Sequence, residues 1–448
     1  MQNNKEVIFH SLFISIFLIT KIISFFDFAT SYFLVKLLCL IYLLCIIVKS
    51  WAKSGIFSIY SLFVDFTFFF IYSRLFFDLI GYIPINEFYF FGKKVFSEEI
   101  CAVILEKSIV FFACIDLGYY FRQTKSIPVV AKLENPNVLK LSIVLFILCS
   151  IWFGYKAVLD FKYVIMNGYT ALLTDIHASY PFWIKGAGTF FVSAFYLLLI
   201  QKTNKKTSLF VFFIYCLVMF MSGLRGSRAT ILCPLSFTLY MLNKDGVIII
   251  NIKKLLLIVA TMIFLIFIVT FYRGEDLSYV SSIKDIFYYI FYNQGNTFGT
   301  LLYYQDNISD ILSNENFPII IEDLRKYYVG DVARNGTKII NYYANINNIE
   351  GIGLGESFYL ELINLPLVIS IFVCFFVGWA MRFVERNILR NRYLLVFFCI
   401  CVGTFFYMPR DTLLGCFAPL NFVYCIMSYL FLLFNILICK YAFKESNL

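Results

Sequence analysis

The chain has 448 residues, of which 61% are hydrophobic, 20% aromatic and only 15% charged. An ordinary soluble domain carries about 25% charged and about 45–50% apolar residues, so composition excludes a water-soluble enzyme, a disordered chain and a secreted disulfide scaffold. The net charge of +9 points to basic loops on the cytoplasmic side of a membrane rather than to nucleic acid.

A spanning helix needs about 20 mostly apolar residues. In chain order the apolar runs predict twelve such helices: Val7–Phe26, Tyr32–Val48, Ile56–Ile80, Cys101–Phe121, Val138–Leu159, Phe182–Ile200, Leu209–Met221, Arg228–Leu242, Lys254–Tyr272, Pro366–Phe383, Tyr393–Met408 and Leu413–Ile438. The seventh and eighth are short, separated only by Ser222-Gly223-Leu224-Arg225-Gly226-Ser227, and read as a tight hairpin inside the membrane zone. Lys5 precedes the first run and no small-residue cleavage site follows it, so this run reads as a retained span. The chain is thus expected to be an all-α integral membrane protein, with nine spans in 1–272, a large outer (periplasmic) loop in 273–365 and three spans in 366–448. Most of the 13 cysteines lie inside apolar runs and no CxxC pair appears, which favours packing over a disulfide framework or a zinc site.

Basic residues assign the sides. Lys49, Lys53, Arg122, Lys125, Lys132, Lys202, Lys205, Lys206, Arg382, Arg386, Arg390 and Arg392 all fall in even-numbered connections, while the short odd-numbered ones hold few. Both termini are therefore expected in the cytoplasm and the 273–365 loop outside. Within that loop, Ile283–Gln305 alternates charged and aromatic residues and is predicted as an amphipathic helix at the interface. Its tyrosines, Tyr303 and Tyr304 among them, suit either stacking on sugar rings or interfacial anchoring.

Charges inside spans are expensive and either paired or functional. Arg74 and Asp78 in the third run lie at i and i+4 and are predicted to pair on one helix face. Asp65 has no local partner. Few other carboxylates sit at mid-depth, which argues against a pump or symporter. The arginines are more informative, because Arg225, Arg228, Arg273 and Arg410 all fall at the outer ends of spans. Ser227 can N-cap the eighth span with Arg228 in its first turn, which would aim free amides and a positive dipole end outward as an anion site. Pro409-Arg410-Asp411-Thr412 repeats this arrangement at the expected start of the twelfth span, and Arg273 closes the ninth. Four guanidinium forks suit a pyrophosphate; the alternative is snorkelling to lipid headgroups. Gly351-Ile352-Gly353-Leu354-Gly355-Glu356-Ser357 lacks the strand context of a dinucleotide site. It reads either as a flexible turn that brings Glu356 to a ligand or as a plain loop.

The run Ser222-Gly223-Leu224-Arg225-Gly226-Ser227-Arg228-Ala229, with Pro234 in the span behind it, resembles the S-G-x-R-G-S-R-type motif of Wzy-type O-antigen polymerases. The layout is similar too: a large outer loop after about nine spans, a Gly-rich stretch late in it and an outer arginine near the last span. The resemblance implies a membrane glycosyltransferase of the GT-C type in the bacterial inner membrane. Its donor is a growing glycan on undecaprenyl pyrophosphate, its acceptor is a lipid-linked repeat unit, and a chain-length regulator protein is a possible partner. Arg225 and Arg228, with Ser227 between them, then bind the pyrophosphate, joined by Arg273 and Arg410. The arginines replace a metal, for which the outer loop offers no DxD pair, and no cofactor is expected. A carboxylate must orient or deprotonate the acceptor: Glu356 is preferred because glycines flank it, with Asp276 and Asp331 as the other candidates. A lipid-linked oligosaccharide flippase and an O-antigen ligase are the rival readings.

Overall fold

The computed structural model describes residues 2–88, 94–121, 133–167, 180–225, 229–249, 295–306, 357–388 and 394–442, together with scattered helical positions between 253 and 291. It is mostly helical. In chain order come α1 (Gln2–Ser24), α2 (Phe28–Ser54), α3 (Ile59–Thr67), a π-helical turn (Phe68–Tyr72), α4 (Ser73–Leu79), the strands β1 (Glu87–Phe88) and β2 (Lys94–Val95), and α5 (Glu98–Tyr120). There follow α6 (Pro136–Asn167), α7 (Phe182–Leu199), α8 (Lys205–Gly223), α9 (Ala229–Lys244), α10 (Asn296–Asp306), α11 (Phe358–Asn364), α12 (Leu367–Asn387), α13 (Leu395–Tyr407) and α14 (Pro419–Ala442). The chain forms two compact units, one from 1–126, 283–385 and 404–418, the other from 127–282, 386–403 and 419–448.

Among the described residues, seven helices are long and apolar enough to cross a membrane. They cover the first, second, fifth, sixth, seventh, tenth and twelfth predicted runs. The other runs fall short of that for visible reasons. The third is helical from Ile59 to Leu79 but is interrupted by the π turn, whose extra residue per turn rotates the faces that follow it. The fourth, α5, carries Glu98, Glu99, Glu106, Lys107 and Asp116. The eighth and eleventh form helices of 16 and 13 residues. The ninth is described only at scattered positions. The twelfth run begins later than expected: Met408–Arg410 and Gly415–Phe417 are 3₁₀ turns, and the helix starts at Pro419. Arg410 therefore does not open a helix.

In the first unit, local sequence sets the helix starts. Asp27 caps α2, its carboxylate accepting from the amides of Ala29 and Thr30 at 3.1 and 3.3 Å, and Ser58 and Ser97 cap α3 and α5 in the same way. The Thr30 hydroxyl and these amides hold the Asp27 carboxyl below its usual range. α5 and α12 touch backbone to backbone. A Cβ added at Gly118 would lie 2.0 Å from the Phe375 carbonyl oxygen, and one at Gly378 2.0 Å from that of Ile115, so only glycine permits this crossing. The i,i+4 pair expected within the third run does not form. Asp78 instead accepts from Lys36 of α2 at 3.0 and 3.2 Å, and the Arg74 guanidinium lies 3.8 Å from the centre of the Phe88 ring. α10 corrects the interfacial-helix reading where it is described. Phe298, Leu301, Leu302, Tyr303 and Tyr304 are all buried, with Tyr303 edge-on to Phe96 at 4.8 Å and Tyr304 hydrogen-bonded to Asn364. These two tyrosines are core residues and do not stack on sugars.

The second unit packs α6, α7, α8, α9 and α14. Phe153, Phe191, Tyr215 and Phe195 form a stacked aromatic column, closest at 3.8 Å between Phe195 and Tyr215, and Val138, Leu197, Ile200, Val396, Ile400 and Leu432 form an apolar cluster. The segments just before α6 and just after α7 meet at one end, where Lys202 pairs with Glu134 at 2.5 Å and Leu133 bridges Gln201. The opposite end gathers the end of α6, the start of α7 and the end of α8.

Candidate functional site

That opposite end holds the motif arginine. Arg225 lies just past Leu224, the C-cap of α8, and its Nη1 donates to Asp160 Oδ2 at 3.2 Å. Asp160 is 1% exposed and lies on the last turns of α6. One turn earlier on the same helix, Lys156 Nζ donates to the same oxygen at 2.9 Å. Tyr180, just before α7, covers the lysine, its ring centre 5.9 Å from Nζ. Burial and the nearby Asp160 carboxylate push the Tyr180 phenol up to about 12, so it is a hydrogen-bond donor at neutral pH. Arg225 keeps 25% of its side chain exposed. Two cations thus converge on a single carboxylate oxygen. Residue reading singled out Arg225 but passed over Lys156, Asp160 and Tyr180. The available signal was the i,i+4 charge pair at the end of the fifth apolar run.

The first unit joins two other predicted motifs. Ser357, last residue of the Gly-rich run, caps α11 through the Tyr359 amide at 3.2 Å and donates its hydroxyl to the Pro409 carbonyl at 3.0 Å. Arg410 lies beside it on the 3₁₀ turn, its guanidinium 5.2 Å from the centre of the Phe70 ring of the π turn. A carboxylate not singled out from the sequence, Glu361, is 1% exposed and accepts from the Leu413 amide at 2.8 Å. It clamps the segment that follows Arg410. Ser227, Arg228, Arg273, Asp276, Asp331 and Glu356 lie outside the described residues.

The sequence model for O-antigen polysaccharide polymerase Wzy matches residues 7–444. The chain belongs to that family. No curated protein and no solved structure matches it significantly. Membership in the Wzy family supports O-antigen polysaccharide polymerase function, an activity of the glycosyltransferase type. It agrees with the apolar helices in indicating a multi-pass inner-membrane protein. The flippase and ligase readings gain no support from it.

One more polar cluster in this Wzy-family chain has to be separated from the site. Glu6, His10 and Asp116 offer ligand atoms within 4.8 Å of one another, all buried. Lys49 Nζ already fills the space a cation would take, bonding both Glu6, at 2.7 Å, and Asp116. An ammonium there leaves no room for a metal, and the cluster belongs to packing.

Proposed function

We propose that the chain joins undecaprenyl-pyrophosphate-linked oligosaccharide repeat units at the outer face of the inner membrane by metal-independent glycosyl transfer. The acceptor hydroxyl attacks the anomeric carbon of the donor sugar, the glycosidic bond to phosphate breaks, and lipid pyrophosphate leaves. Negative charge grows on the leaving group, so Arg225, Arg228, Arg273 and Arg410, with Ser227, stabilise the transition state electrostatically. Glu356, or failing it Asp276 or Asp331, takes or orients the acceptor proton. The observation that carries this reading is the setting of Arg225. One nitrogen is fixed on a buried carboxylate, the rest of the guanidinium has no partner among the described residues, and the side chain stays partly exposed.

The test is the lipopolysaccharide ladder of cells carrying single variants in place of the deleted chain. Arg225→Ala should leave core with one repeat unit, at normal amounts of inserted protein. Arg225→Lys should recover little, since a point charge does not replace a planar fork. A full ladder from Arg225→Ala, Arg228→Ala and Arg410→Ala alike would place the pyrophosphate site elsewhere.

A further inference from the structure

Asp160 is 1% exposed, and burying a carboxylate is costly without a counter-charge. Lys156, one turn away and 2.9 Å from Oδ2, is sufficient for that, and a purely structural device would stop at this neutral pair. Arg225 adds a second cation to the same oxygen at 3.2 Å. Among the described residues the cluster is then one positive charge in excess, in surroundings that screen poorly. Two like charges drawn to one atom repel each other, and an anion seated against both relieves that repulsion. The donors to receive it are present. A lysine ammonium has three N–H groups and an arginine guanidinium five, and here each is seen to give one to Asp160, while the Tyr180 ring packs over the lysine.

We propose that Lys156 and Arg225, both held on Asp160, form a subsite for a phosphate-class anion, occupied by the pyrophosphate of the lipid-linked donor. Lys156 is a second binding cation. Asp160 acts through the others as a positioning residue that fixes the angle of the Arg225 fork. The assignment rests on the polymerase reading above.

Full-length protein in nanodiscs, given a synthetic lipid-linked repeat unit, tests it through initial rates with inorganic pyrophosphate as competitor. Lys156→Met removes the charge and keeps the stem. It should raise both KM for the lipid-linked substrate and the inhibition constant of pyrophosphate about tenfold or more, the worth of a charged hydrogen bond, with a smaller change in kcat. Lys156→Arg should restore both. Asp160→Asn should lower kcat because the fork loses its anchor. A merely structural Asp160 would instead reduce the amount of folded protein and leave the kinetics of the remainder unchanged.

Unaltered KM and pyrophosphate inhibition in Lys156→Met would overturn the subsite. If Arg225→Ala is inactive in that same preparation, the polymerase reading survives and only the subsite falls; if Arg225→Ala is also normal, the reading fails with it. Nanodiscs of phosphatidylcholine alone and with added phosphatidylglycerol separate the two sources of phosphate. Competition by phosphatidylglycerol, abolished by Lys156→Met, with none by pyrophosphate would assign the site to a lipid headgroup and overturn the substrate assignment.

Discussion

Asp116 and Asp160 are both buried aspartates inside helices, and their partners give them different roles. Asp116 accepts from His10 Nε2 at 2.8 Å, from the Tyr60 hydroxyl at 2.7 Å and from Lys49. Glu6 accepts from Lys49 and Lys53, and His10 Nδ1 meets the Tyr42 hydroxyl at 2.5 Å. Two carboxylates, Glu6 and Asp116, here face two lysines, Lys49 and Lys53. Such a network holds helices together and does not call for a ligand. Asp116→Ala would take this acceptor from His10 Nε2 and the Tyr60 hydroxyl and leave Lys49 only Glu6. Removing one partner of a buried pair costs about 3–5 kcal/mol, so thermal unfolding in detergent should show a large loss of stability and the membrane content of the variant should fall. The enzyme that remains should keep its KM, unlike Lys156→Met. Lys49 and Lys53 stood out in the sequence only as basic residues after an apolar run. Their pairing with Glu6 was not legible, because that partner lies 43 and 47 residues away in sequence.

At the scale of elements, the α5–α12 crossing is the place where a single methyl group decides packing. Gly118 and Gly378 each face a carbonyl oxygen of the opposite helix 2.0 Å from where a Cβ would stand. Gly154, inside α6, has nothing within 4 Å. Gly118→Ala and Gly378→Ala must push the helices apart, at about 1–3 kcal/mol or more for overpacking, whereas Gly154→Ala should be neutral or stabilising by about 0.5–1 kcal/mol. Thermal melts of the three purified variants check the contrast, and equal melting temperatures would mean that the crossing is looser than its geometry. Spans were readable from composition because the bilayer demands apolar length. Helix partners were not, since every glycine in an apolar run looks alike and Asp78 could not reveal that Lys36, 42 residues away, outcompetes Arg74. The same holds at the site. Arg225 stood out as a cation in a short outer connection, but Lys156 and Asp160 gained meaning only when α8 brought Arg225 across 65 residues to meet them.

For the whole molecule, the side on which chemistry happens follows from how the charges sort along the helices, and each unit sorts them consistently. In the second unit, Lys156, Asp160, Tyr180 and Arg225 share one end, while Glu134 and Lys202 share the other with the start of α8. In the first unit, Glu6, Lys49, Lys53 and Asp116 share one end, while Lys21 pairs with Glu106 at the other at 2.5 Å. On the expectation that ends rich in exposed lysine lie in the cytoplasm, we propose that Lys202 and Lys205 face inside and the Arg225 cluster outside. Reporter fusions at Lys205 and Lys444 should therefore read as cytoplasmic and one at Glu315 as periplasmic. Glu315 is the decisive position, since it lies in the 273–365 stretch that holds Glu356, Asp276, Asp331 and Arg273. A cytoplasmic readout there would move the proposed acceptor carboxylates to the side away from Arg225. The arginine and the carboxylates could then not act on one glycosidic bond, and the mechanism would fail together with the map.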